Sequence, residues 1–75
     1  MKEKNVESIR KILEKLTDEL SELSNICQDE QDSFDEKSEK WQESDAGSEA
    51  QDLIDNLNGS KDDLENVCTG LEELT

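Results

Sequence analysis

The sequence predicts an all-α chain folded as an antiparallel helical hairpin of coiled-coil type, and three observations carry that prediction. Apolar residues in the first half recur at alternating steps of three and four. The second half repeats the pattern, and the stretch between the two is rich in residues that cap helices. Steps of three and four define the seam along which paired helices meet. Strand-like alternation is absent and β-branched residues are few. Seventy-five residues make one small domain, 1–75. Composition alone, with 29% hydrophobic and 40% charged residues, would suggest a disordered acidic chain; the spacing of the apolar residues overrides it.

The first helix is expected over about 3–36. Its seam is Val6, Ile9, Leu13, Leu16, Leu20, Leu23 and Cys27, widened by Ile12 and Ile26. The same phase continues through Glu30 to Phe34 and through Lys37 to Trp41. A connection over 37–45 follows. Ser38 can open a short helical turn at 38–42, and Ser44 can cap the next helix, with Asp45 and Glu49 favourable near its positive end. The second helix, about 45–74, has its seam at Ala46, Ala50, Leu53, Leu57, Ser60, Leu64, Val67, Leu71 and Leu74, flanked by Ile54 and Cys68. Asn58-Gly59-Ser60 is the one candidate for a kink. Folding back near residues 44–46 sets Phe34 against Leu57, Leu20 against Leu71 and Trp41 over Ala50, and makes the Cys27 and Cys68 thiols neighbours. Ile12, Ile26, Ile54 and Val67 would remain wet on two helices alone, which predicts a homodimer forming a four-helix bundle.

Several function classes drop out. With no His and no Tyr, no catalytic apparatus can be assembled, and two thin helices build no substrate cleft; the chain is not expected to be an enzyme, and no cofactor is implied. Net charge −14 opposes direct binding to nucleic acid or to anionic membranes. No apolar run approaches the roughly 20 residues of a membrane span. Met1-Lys2-Glu3-Lys4-Asn5 leads into an amphipathic stretch rather than a signal sequence, so a cytoplasmic location is expected. No metal is expected either. Cys27 and Cys68 stand 41 positions apart without a CxxC pair. They read as small buried hydrophobes, with a disulfide clamp as the alternative. A calcium loop centred on Gly59 would put Ile54 at its first ligand position, and a di-metal bundle built on Glu36 and Glu39 or Asp52 and Asp55 would need histidine.

The charge is uneven. Residues 1–27 carry 6 acids and 5 bases (Lys2, Lys4, Arg10, Lys11, Lys15), whereas residues 28–75 carry 16 acids and only Lys37, Lys40 and Lys61. The densest zone, 29–55, holds 11 acids against two lysines. Folded back over roughly 20 Å, it presents about one net charge per 2 Å, close to the ~1.7 Å spacing of duplex DNA. The alternative is an acidic surface that serves solubility alone.

The stretch from Asp29 to Gly47 has an acidic pair with Gln31, then Phe34-Asp35, then Gln42-Glu43-Ser44-Asp45-Ala46-Gly47, and is followed by the acidic Leu53-Ile54-Asp55-Asn56-Leu57 helix. Over these roughly 30 residues the chain resembles a recurrent group of small acidic proteins encoded by bacteriophages and other mobile elements, mainly of Gram-positive and gut bacteria. Relatives often carry proline where this chain has Ser38, and a more regular second helix where it has Gly59 and Gly70. The resemblance implies a phage or mobile-element origin and a bacterial host cytoplasm. It supplies no activity, but it favours an inhibitor of host defence that imitates nucleic acid. The expected partner is a basic nucleic-acid-binding host protein, and the expected contacts are Asp29, Asp32, Asp35, Glu36, Glu39, Glu43, Asp45 and Glu49. Phe34 and Trp41 are the apolar anchors, with hairpin core as their alternative role. The rival class is an assembly module that pairs its apolar stripe with itself or with a partner helix.

Overall fold

A computed structural model describes residues 1–75. The chain is all-helical: α1 spans Glu3–Asp35, α2 Glu39–Gln42 and α3 Asp45–Glu72. The 33 residues of α1 give a rod about 50 Å long. α3 runs back along α1, and α2 rests against the start of α3. The molecule measures 57 × 15 × 13 Å. α3 continues through Asn58, Gly59 and Ser60 without a break.

Two serines make the corners. Ser38 and Ser44 both leave the helical region for extended backbone, and their hydroxyls accept from the N–H three residues on, Trp41 at 3.2 Å and Gly47 at 3.3 Å. Each cap satisfies a donor that a helix start leaves unpaired. Neither corner uses a left-handed residue. Gly47 is buried, and its lack of a side chain is required. A Cβ there would fall against the carbonyl oxygens of Trp41 and Gln42, 2.6 Å from the Gln42 carbonyl carbon. α2 therefore lies directly on the α3 backbone.

On α1 the seam is Val6, Ile9, Leu13, Leu16, Leu20, Leu23, Cys27 and Phe34, all at least half-buried, but Gln31 takes the place expected of Glu30, which is exposed. On α3 the seam differs from expectation along one row. Ala50, Leu57, Leu64 and Leu71 face α1, but they are joined by Gly47, Ile54, Lys61 and Cys68 rather than by Ala46, Leu53, Ser60, Val67 and Leu74. Leu53 is 69% exposed, whereas Ile54 is 4% exposed. The helix is rotated so that the row expected to flank the seam lies in it. Gly47 explains the rotation: the one residue that admits the α2 backbone must face inward, and positions 54, 61 and 68 follow it at seven-residue intervals. Lys61 tolerates its place because its methylene stem packs while its ammonium reaches water.

The two cysteines are free and buried, but they are not neighbours. Cys27 sits beside Asn58 and Lys61 across a small cleft, and Cys68 lies two turns further, about 10 Å along α3. That exceeds the Cα separation of about 7 Å that a disulfide tolerates.

Candidate functional site

The connection between α1 and α3 is tied together by short-range contacts. Gln42 donates from Nε2 to the carbonyl oxygens of Phe34 and Lys37, each at 3.0 Å. The Phe34 carbonyl, in the last turn of α1, also accepts from the Lys37 N–H at 3.1 Å, so Gln42 is its second donor, and the Lys37 carbonyl lies just beyond the helix. The Ser44 hydroxyl also donates to the Trp41 carbonyl. Phe34 and Trp41 pack edge to face, with centroids 6.0 Å apart, and the Lys37 ammonium lies 5.4 Å from the Trp41 ring centroid. Phe34, Gln42, Ser44 and Gly47, all members of the stretch from Asp29 to Gly47, thus have architectural jobs: ring contact, carbonyl tie, cap and close approach.

Onto this scaffold the chain places its carboxylates, and every acidic residue from Asp29 to Asp55 is exposed. At 100° per residue, Asp29 and Glu36 project from the back of α1, whereas Asp32 and Asp35 lie on one flank. Glu39 opens α2 and Glu43 closes it. Asp45 projects from the back of α3 and Glu49 from the flank opposite that of Asp32. The expected contact residues are therefore not gathered on one face; they encircle the tip. Phe34 and Trp41 are half-buried. Each joins the core through one edge and lines an open groove of about 480 Å³ with the other.

Three contacts that were not anticipated order this surface. Gln28 donates to Asp32 (2.9 Å), Gln31 to Asp35 (3.0 Å) and Gln51 to Asp55 (2.9 Å), each one helical turn apart. A neutral amide fixes the carboxylate without cancelling its charge, as a lysine in the same place would do. The four-residue Gln-to-Asp spacing is visible in the sequence and is the signal that would have found them. Neither long helix has a base in its last turn, and α1 ends on Asp32 and Asp35 beside its negative pole. Local electrostatics disfavours that placement by about 0.3–1 kcal/mol per charge.

The groove is walled by Ile26, Phe34, Trp41, Leu53 and Leu57, with Glu30 among its lining residues. It opens on one side of the hairpin. The cleft on the other side is polar, formed by Ser24, Gln28, Gln31, Asn58 and Lys61 around Cys27. No helix is long and apolar enough to cross a membrane.

Fold and surface together define a helical hairpin with one ordered acidic end and one apolar side. No protein-family model matches the chain, and neither a curated protein nor a solved structure does.

Proposed function

We propose that the chain is a non-enzymatic interaction protein of phage type, whose acidic tip occupies the basic nucleic-acid-binding surface of a host defence protein such as a CRISPR effector or a restriction enzyme. The observation that carries this reading is the tip itself: eleven exposed carboxylates within 29–55, three of them held by neutral amides, around a connection fixed by its own hydrogen bonds. Ordered, uncompensated negative charge at nearly the spacing of duplex phosphates displaces the counterions of a basic cleft as nucleic acid does. Charge that encircles the tip suits a channel better than a flat patch. The bacterial cytoplasm is the compartment in which such a partner is met.

Pull-down from host lysate, at low and then high salt and with competing duplex DNA, tests the reading. A basic nucleic-acid-binding protein should be captured and then released by salt or by DNA. Reversing Asp35, Glu36, Glu39 and Glu43 to lysine together should abolish capture while helicity survives; undiminished capture by that variant would sink the proposal.

A specific observation also favours self-association as a four-helix assembly. Ile26, expected to be left over from the apolar stripe, and Leu53, expected in the seam but turned out of it, are 50% and 69% exposed on the same side of the hairpin. Assembly through that side leaves the backs of both helices, and most of the carboxylates, in solvent.

A further inference from the structure

The hairpin has too much surface for its size. It exposes 5812 Å², against about 4,650 Å² for a compact monomer of its mass. Its radius of gyration is 17.2 Å, against about 11 Å for a compact chain of this length. Only four residues are buried, and one of those is a glycine. The excess is concentrated. Ile12, Ile26, Leu53, Val67 and Leu74 are between 49% and 69% exposed. Helical geometry places all five on the side where the groove opens: Ile12 is in the heptad row of Ile26, and Val67 and Leu74 are in that of Leu53.

Resting on the self-association reading above, we propose that this side is covered by a second copy of the chain running in the opposite direction, related by a two-fold axis near Val67. The groove sets Phe34 beside Leu57, and the polar cleft sets Cys27 beside Asn58 and Lys61. Carried on, that register puts Val67 level with about residue 21, with Ile26 about 8 Å to one side of that level and Ile12 about 14 Å to the other. A dyad there lays Val67 on the partner's Val67 and brings Ile12 within about one helical turn of the partner's Ile26.

Charge chooses the antiparallel direction. Lys4, Lys11 and Lys15 all lie on α1 in the half away from the tip. Glu30 lines the groove at the tip, Glu49 projects from the same side of α3, and the other carboxylates of 29–55 are gathered at that end. Opposed directions bring the lysines of each copy toward the carboxylates of the other, whereas parallel copies would set tip against tip and amine against amine. Area agrees. A side of 57 by 15 Å covers about 850 Å² per copy and 1,700 Å² per pair, within the ~1,200–2,000 Å² of stable interfaces. Covering it brings each chain close to the surface expected for its mass.

Sedimentation equilibrium of the full chain, over a hundredfold concentration range, should give twice the 8.5 kDa chain mass. Val67→Glu should return it to the single-chain mass with helicity retained, whereas Ser21→Glu, on the other side of α1, should not. Glu19→Gln, which removes like charges near the dyad, should tighten association several-fold. Direction is read by mixing an Ile12→Cys chain with an Ile26→Cys chain under mild oxidation, the native thiols being buried, and mapping the bond by peptide mass. A bond between positions 12 and 26 is expected. Bonds of 12 to 12 and 26 to 26 would overturn the antiparallel arrangement and leave self-association standing. A double-mass species indifferent to Val67→Glu would overturn the choice of side. The single-chain mass throughout would remove both this arrangement and the self-association reading.

Discussion

Gly47→Ala is the sharpest test of how the tip is built. A methyl at this position meets backbone on two sides, the carbonyls of Trp41 and Gln42, and backbone cannot swing away as a side chain can. Either α2 lifts from α3 or α3 rotates. Lifting α2 weakens the Gln42 bonds to Phe34 and Lys37 and the Ser44 cap, each worth about 1 kcal/mol. Overpacking of this kind costs about 1–3 kcal/mol. The gain in helix propensity on replacing glycine is at most about 1 kcal/mol. The net expectation is a loss of about 2 kcal/mol, which for a chain of this size lowers Tm by roughly 8–16 °C. Gly59→Ala is the internal standard. Nothing lies within 4 Å of a Cβ there, so the same substitution in the same helix should raise Tm by about 4–8 °C. Thermal melts followed by circular dichroism at 222 nm, at one fixed protein concentration, give both values. If Gly47→Ala proved as stabilising as Gly59→Ala, α2 could not lie on α3 as described, and the rotation of α3 would lose its explanation.

Other substitutions probe separate contacts. Gln42→Leu removes the amide that ties the Phe34 and Lys37 carbonyls to α2 and should cost about 1–2 kcal/mol in urea denaturation, and Ser44→Ala about 1 kcal/mol. Asp35→Asn removes a charge from the negative pole of α1 and should stabilise the fold by about 0.3–1 kcal/mol while weakening capture of the proposed partner, both read on one preparation. Cys27 and Cys68 should resist a thiol reagent in the native protein and react promptly in urea. Mild oxidation should form no bond between them within one chain, as checked by non-reducing peptide mass mapping.

The helical hairpin was legible because the α1 seam from Val6 to Cys27 keeps its steps without a gap, and only helix pairing uses that period. The rotation of α3 was not. Its apolar stripe is three rows wide, and the row of Leu57 and Leu64 belongs equally to a seam shared with Leu53 and Val67 or with Ile54 and Cys68. Hydrophobicity favours the first choice, since the second admits Gly47 and Lys61. The decision is made at the tip, by backbone approaching Gly47 from a segment that no periodicity describes. The thiol pairing missed for a related reason: two turns of register depend on how many residues the connection consumes. At the acidic end, the charge was evident from composition. Its ordering by Gln28, Gln31 and Gln51 is a pairwise side-chain effect, and its distribution around the tip depends on how α2 is laid.

Every tie in the connection joins residues eight or fewer apart: the Ser38 and Ser44 caps, the Gln42 bonds and the Phe34–Trp41 contact. Closing such short loops costs little chain entropy, whereas pairing the far ends of α1 and α3 before the turn exists would cost much more. The acidic end is thus the natural nucleus, with the arms zipping from it toward Val6 and Leu71. Unfolding runs in reverse, fraying first where the termini lie. Amide exchange should therefore be slowest beside the turn and fastest at the open end, so that the charged tip persists through partial openings that melt the rest of the rod.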